Sequence, residues 1–165
     1  MMSKRELLLH SYDVGYDQDD WYPPLKNALS GVSEGQADWK PAGEAVNSIR
    51  QTVHHLLYYK QRLLRELRGE PQPAGSDELT NDDTFEAAAL GSPSWEEAVR
   101  LLEDTHLAVR EALAERSDEA LEQPIPKTRA WMYADSIIRH EAYHVGQIIQ
   151  LRKLQGSWPA HRSFS

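Results

Sequence analysis

The chain has 165 residues, no cysteine and a formal net charge of −8, from 26 acidic and 18 basic residues. This length suits one domain with its own hydrophobic core, to which we assign residues 1–165. Without cysteine, disulfides and thiolate metal sites are excluded, and any thiol chemistry needs an external thiol. The acidic balance disfavours nucleic acid and anionic membranes as partners. Because no stretch has the length of a signal peptide's apolar run or a membrane span, we expect a cytoplasmic protein.

The pattern of the first half predicts two helical regions. A segment that starts at a cap on Ser3 is expected to be one kinked helix or two shorter ones, because the prolines at 23–24 interrupt it. A loop, "GQADWKPAGEA", follows this segment. Then Asn47 or Ser48 caps a long second helix that ends at Gly69.

The second half predicts two more long helices. A connection rich in Pro, Gly, Asn and Asp, "EPQPAGSDELTNDDTF", is expected to lie on the surface with a short turn of helix. Ser94, with Glu97 three residues later, has the pattern of a capping box and starts the third helix. A loop punctuated by prolines, "DEALEQPIPKTRAW", precedes the fourth helix, which runs from Met132 to Gly156. Helix formers dominate throughout, so the sequence predicts an all-α four-helix bundle in one domain.

Two histidines stand one helical turn apart on the apolar stripe of the fourth helix. His140 and His144 share this stripe with Tyr133, Ile137 and Ile148. Side chains at i and i+4 have Cβ atoms about 5 to 6 Å apart, so both imidazoles can reach one metal ion. The alternative is that each ring is a core histidine with its own hydrogen-bond partner. The pair therefore predicts a metal site, with two packed core histidines as the alternative.

The same residues, "HEAYH", match the H-E-x-x-H helix of zinc metalloproteases, in which the glutamate is the general base. The rest of the protease pattern is missing. Gln150 stands where one class has its third histidine, and no Asp or Glu follows Glu141 to act as the ligand of another class. The third ligand must therefore come from another part of the chain.

The remaining histidines are the candidates for that ligand: His10, His54, His55 and His106 upstream, and His161 in the tail. His54 and His55 lie at a depth in the second helix that could face the middle of the fourth. The apolar stripe of the second helix leaves the two about equally far off on opposite sides, so periodicity does not choose between them.

Both histidine segments resemble those of the DinB/YfiT-like family of four-helix proteins. Residues 48–64, "SIRQTVHHLLYYKQRLL", are similar to the family's S-I-x-x-x-x-x-H-L segment. Residues 140–158, "HEAYHVGQIIQLRKLQGSW", are similar to its H-[DE]-x-x-H-x-G-Q-I segment, and "DWKP" at 38–41 looks like a loop of the family. The resemblance spans most of the chain, but the middle third carries no family signature.

Carried over by position, the resemblance implies His55, His140 and His144 as the ligands of one divalent metal ion, often zinc or nickel. Some members of the family are transferases or isomerases that depend on small cellular thiols. The resemblance therefore implies a metal-dependent thiol S-transferase with a small-molecule substrate. The alternatives are a metal-dependent hydrolase and a non-catalytic protein with a structural metal. The family, together with several tryptophans outside the helix stripes, also leads us to expect a homodimer.

Two residues beside the histidine stripe are candidates for catalytic or orienting roles. Glu141 could act on a bound substrate, and the alternative is an exposed charge or a partner for the regions of Arg139 or Lys153. Gln147 could bond a ligand imidazole and select its tautomer, or fill a polar gap between helices. Three tyrosines near this level are expected to pack in the core rather than to contact substrate: Tyr58, Tyr59 and Tyr133.

Overall fold

A computed structural model describes residues 2–43, 45–91 and 93–160. Within these residues the chain forms seven α-helices and two short 3-10 helices. The α-helices are, in chain order, α1 (Lys4–Tyr16), α2 (Leu25–Leu29), α3 (Glu34–Asp38), α4 (Ile49–Arg68), α5 (Trp95–Ala114), α6 (Asp118–Leu121) and α7 (Ala130–Leu154). The 3-10 helices, Asp82–Phe85 and Ala87–Leu90, lie between α4 and α5. Within these residues the protein is all-helical, without a named strand, which confirms the predicted class.

The helix boundaries follow from local capping. Ser3 and Ser48 each form a capping box, in which the serine accepts from a backbone N–H one turn later and a Glu or Gln side chain bonds back. Ser94 accepts from the backbone N–H of Glu97 at the start of α5. Gly69 ends α4 with a left-handed φ of 67°, a conformation that glycine adopts without strain. The predicted starts of these three long helices are therefore confirmed, with Ser48 as the cap of α4.

Short helices occupy several predicted loops. The first region forms separate pieces, since α1 ends at Tyr16 and Pro24 caps α2. The predicted loop after it is wrong in part, because α3 runs into it under a capping box on Ser33. The proline-punctuated loop before the fourth helix contains α6, and α7 begins at Ala130, slightly earlier than predicted. Local caps thus form short helices where the composition indicated only turns.

The core consists of two apolar clusters at opposite ends of the helix pair α4 and α7. One cluster joins the N-terminal half of α4, around Val53, to the C-terminal half of α7, around Ile148. The other joins the C-terminal half of α4, around Leu63, to the N-terminal half of α7, around Ala134. The two helices therefore run antiparallel, which brings the middle of α4, where the paired histidines lie, against the middle of α7. No helix of the described residues is long and apolar enough to cross a membrane.

Candidate metal centre

Three histidine side chains converge between α4 and α7. His55 and His144 are buried and His140 is half-buried. Nε2 of His140 lies 2.8 Å from Nε2 of His55 and 3.0 Å from Nε2 of His144. The ligand nitrogens of the three rings all lie within 4.8 Å of one another. This spacing allows the rings to share one ion with only small adjustments toward metal–nitrogen distances of about 2.0 to 2.1 Å.

Aromatic packing holds the ring of His55 in place. Phe85, at the end of the first 3-10 helix, stacks on this ring with centroids 3.9 Å apart and an interplanar angle of 9°. Tyr59, one turn further along α4, packs edge-on against it at 5.0 Å and against His140 at 5.4 Å. The segment after α4 thus supplies one wall of the site, and α4 and α7 supply the ligands.

Thr84 determines which nitrogen of His55 carries the proton. Its buried Oγ1 donates its hydrogen to the carbonyl oxygen of Asn81 at 2.6 Å. The same Oγ1 lies 2.6 Å from Nδ1 of His55 and, having no second proton, accepts from it. The proton of a neutral His55 ring therefore stays on Nδ1, and the lone pair on Nε2 points into the triad.

Gln147 determines which nitrogen of His144 carries the proton. Its carbonyl oxygen Oε1, which can only accept, lies 2.6 Å from Nδ1 of His144. The two residues are neighbours on one face of α7 because they stand three positions apart. Nε2 of His144 is therefore left with a lone pair directed at the other two rings.

The three Nε2 atoms carry more lone pairs than hydrogen bonding among them can satisfy. Those of His55 and His144 are acceptors, as their Nδ1 partners require. A neutral His140 has at most one proton on Nε2, which cannot fully satisfy both neighbours at 2.8 Å and 3.0 Å. A cation at the centre satisfies all three lone pairs. The donor set therefore fits a divalent metal ion that accepts imidazole nitrogen.

The protonation of the rings agrees with this fit. Burial, followed by the neighbouring His140 and His144, lowers the pKa of His55 to about 3. Burial and His144 lower the pKa of His140 to about 4. Burial also lowers the pKa of His144, against the opposing effect of its hydrogen bond with Gln147. Near pH 7 all three rings are therefore neutral, which is the form of imidazole that binds metals.

Comparison with known families finds a match over most of the chain. A model of the DinB superfamily matches residues 24–148, a range that includes all three histidines. The chain belongs to the DinB superfamily. This confirms the family that the two histidine segments indicated, together with its helical class of fold. No curated protein and no solved structure shows a significant match to the chain.

The other histidines of this DinB-superfamily chain lie apart from the triad in the described residues. His10 is exposed on α1, and His54 is buried on another side of α4, where burial lowers its pKa. His106 is buried on α5, with Nδ1 3.1 Å from Nζ of Lys60. His161 lies outside the described residues. The structure thus brings together the three histidines that the resemblance implied as ligands, and their binding of a metal stays a prediction.

Glu141 is buried and faces the interior of the bundle. Only 1 % of the residue is exposed, and its Oε2 lies 2.5 Å from Nζ of Lys60 on α4. The alternative of an exposed charge is therefore wrong, and Arg139 pairs instead with Asp135. Burial raises the pKa of Glu141 and lowers that of Lys60, and in each case the partner opposes the effect of burial. The direct catalytic role stays a prediction, but these contacts favour an orienting role.

Gln147, whose side chain bonds His144, also lines a cavity of about 470 Å³ beside the C-terminal half of α7. The lining of this cavity is largely apolar and includes Val46, Leu151 and Leu154, with Gln147 and Tyr143 on the side of His144. Tyr143 is 65 % exposed and packs edge-on against His144 at 5.0 Å. Gln147 is therefore placed to orient the ring of His144, and its side chain also faces the cavity.

Sequence reasoning missed three residues that shape the site: Thr84, Phe85 and Lys60. Thr84 and Phe85 belong to a stretch predicted to lie on the surface with a short turn of helix; the short helix is present, but both side chains are buried. The run "TNDDTF" did contain a signal, because Thr and Asp side chains three positions apart often bond backbone groups in a turn, as Thr80 and Asp83 do here. That signal predicts a turn, but nothing local predicts that the turn packs on His55.

Proposed function

We propose that the protein binds one divalent ion, zinc or nickel, through His55, His140 and His144 and activates a small thiol for transfer to an electrophile. The observation that supports metal binding most strongly is the pair of hydrogen bonds that Nδ1 of His55 and Nδ1 of His144 donate to Thr84 and Gln147. They leave two buried Nε2 lone pairs facing a third ring, an arrangement that a shared cation stabilises.

A divalent cation held by three neutral imidazoles keeps its full charge and lowers the pKa of a coordinated thiol or water. The residues of the chain prepare the site for this chemistry. Thr84 and Gln147 orient two ligand rings, while Phe85 and Tyr59 cover His55 and limit the access of water to it. Since the chain has no cysteine, the thiol must be a cosubstrate.

The accessibility of the site supports a catalytic metal rather than a structural one. The ligand group found in the described residues has three members, whereas structural zinc sites usually have four protein ligands. His140 is half-buried, and Asn81 and Tyr143 near the rings are exposed. This side of the triad is therefore where a small molecule would reach the fourth position.

A hydrolase that activates water is the alternative. In the protease-like form of this alternative, Glu141 would be the general base. Its carboxylate is instead buried in the bundle interior, with Oε2 2.5 Å from Nζ of Lys60, so it is shielded from the water that it would have to deprotonate. This contact favours a thiol, whose lower pKa in solution requires less help from a base, over water as the activated group.

The test uses protein loaded with Zn²⁺ or Ni²⁺, a panel of low-molecular-weight cellular thiols and an aryl chloride as electrophile. In the reaction the thiolate sulfur forms a bond to the aryl carbon, chloride leaves, and the thiol proton goes to the buffer. We expect faster thioether formation with wild-type protein and loss of that rate in His144→Ala. Equal rates with and without protein, together with no change in the absorption of Co²⁺-substituted protein on addition of thiol, would refute the transferase.

A further inference from the structure

A second polar cluster lies inside the bundle, next to the triad but separate from it. Each of the four long helices contributes to it: Tyr12 and Tyr16 from α1, Lys60 from α4, His106 from α5 and Glu141 from α7. All five side chains are buried, and Lys60, His106 and Glu141 are each 1 % exposed. The cluster lies between the two apolar clusters of the core, since Tyr16 contacts one and Tyr12 the other.

The ammonium group of Lys60 is the centre of this cluster. Its Nζ lies 2.5 Å from Oε2 of Glu141 and donates to Nδ1 of His106 at 3.1 Å. The rings of Tyr12 and Tyr16 lie 4.8 Å and 4.9 Å from Nζ and stack on His106 with centroids 4.2 Å and 3.8 Å away. The charge of Lys60 thus has a carboxylate, an imidazole and two aromatic rings as its partners, as a buried charge requires.

Stability alone does not explain a charged pair in this place. Removing two charges from water is costly, and well-packed apolar residues of similar volume often replace a buried ion pair without loss of stability. An ion pair differs from an apolar pair because its interaction energy depends strongly on the relative position of the two groups. If α7 slipped by one turn, about 5.4 Å, Lys60 and Glu141 would separate and face apolar clusters without partners.

The position of the pair connects it to the triad. Glu141 follows His140 directly on α7, and Lys60 lies five residues after His55 on α4. The ion pair therefore joins the same two helices that supply the three histidines, about one and a half turns along the axis of α4 from His55. A change in the register of these helices would move His55 away from both His140 and His144.

We propose that the buried Lys60–Glu141 ion pair fixes the register of α4 against α7 and thereby positions His55 opposite His140 and His144. Lys60 and Glu141 are positioning residues in this account, because they act on the ligands through the helices and not by contact with a metal or substrate. The consequence for metal affinity rests on the proposed function, whereas the consequence for register does not.

The test replaces the pair by apolar residues in Lys60→Met/Glu141→Leu. A matched control, Asp13→Leu/Arg110→Met, removes an ion pair that joins α1 to α5, in which Nε of Arg110 lies 2.6 Å from Oδ1 of Asp13. Affinity for Zn²⁺ is measured by competition with a chromophoric chelator, and thermal unfolding by circular dichroism. We expect Lys60→Met/Glu141→Leu to keep the wild-type Tm or exceed it while binding Zn²⁺ at least tenfold more weakly. The control should bind within twofold of wild type.

A second measurement reads the register without metal. Because the chain has no native cysteine, Arg68→Cys and Lys153→Cys, both at exposed positions, take spin labels specifically. Antiparallel α4 and α7 place these positions about 35 Å apart at 1.5 Å rise per residue, a distance that pulsed electron paramagnetic resonance resolves. We expect one narrow distance in the otherwise wild-type chain and in the control, and a distribution shifted or broadened by about 5 Å in Lys60→Met/Glu141→Leu.

The outcomes separate this proposal from the proposed function. Wild-type Zn²⁺ affinity together with a wild-type label distance in the apolar double variant would overturn the role of the pair. A wild-type protein that binds neither Zn²⁺ nor Ni²⁺ would overturn the proposed function, and the label distances would still decide the register. If the double variant does not fold, Glu141→Gln, which keeps the shape of the side chain but removes the charge that pairs with Lys60, replaces it. An unchanged Zn²⁺ affinity in Glu141→Gln would then contradict the proposal, and at least a threefold loss would support it.

Discussion

Thr84→Val tests how the site selects the tautomer of its ligand. Valine has nearly the shape of threonine, so the packing of this residue, which is 2 % exposed, should change little. It removes the Oγ1 that lies 2.6 Å from Nδ1 of His55. A buried N–H without a partner costs about 1 to 3 kcal/mol, so His55 should move its proton to Nε2 or rotate. Either response withdraws the lone pair from the triad.

The expected result is a loss of about tenfold to 100-fold in Zn²⁺ affinity, which equals about 1.4 to 2.7 kcal/mol. Thr84→Ser is the matched control, because serine keeps the hydroxyl that bonds both Nδ1 of His55 and the carbonyl of Asn81. Affinity is measured by chelator competition, and the ring tautomer by ¹⁵N NMR of the imidazoles. Equal affinity of the Val and Ser variants, with the Nδ1–H tautomer retained in both, would refute this reasoning.

Three further predictions follow from the buried groups and the family. Burial, followed by Lys60 and other cations, lowers the pKa of His106 from 6.5 to about 2, so below pH 6.5 the unfolded chain binds a proton that the folded chain does not. The free energy of unfolding of the metal-free protein, measured with urea, should therefore fall from pH 6.5 to 4.5. The fall should be about 2 kcal/mol smaller in His106→Gln than in wild type, and an equal dependence on pH in the two proteins would contradict this. Lys60→Met leaves Glu141 buried and unpaired and should lower the free energy of unfolding by about 3 to 5 kcal/mol in the same assay, whereas a loss below about 1 kcal/mol would contradict the buried pair. Sedimentation should show a homodimer at micromolar concentration, and a monomer alone would contradict the expectation from the family.

The features that sequence predicted well are those decided within one helical turn. Ser3 and Ser48 cap their helices through bonds to backbone groups three residues away, and Gly69 ends α4 through its own φ. The i,i+4 spacing likewise places His140 and His144 on one side of α7. These outcomes depend on local contacts, which the order of residues determines directly.

The features that sequence could not predict depend on contacts between distant segments. His54 and His55 are both buried, and what distinguishes them is the packing of Thr84 and Phe85 on His55. Lys60 looks like an exposed charge in a helix pattern because its partner, Glu141, stands 81 positions later in the chain. Only the folded bundle brings these groups together, so helical periodicity carries no sign of them.

The measurement that tests the account most directly is the stoichiometry and affinity of Zn²⁺ binding in wild type and in single histidine variants. Elemental analysis and titration should give about one ion per wild-type chain, with binding largely lost in His140→Ala and His144→Ala. His55→Ala should weaken binding far more than His54→Ala, since of these two residues it is His55 that lies within hydrogen-bonding distance of His140. Wild-type affinity in both His140→Ala and His144→Ala, or a greater loss in His54→Ala than in His55→Ala, would contradict the proposed site.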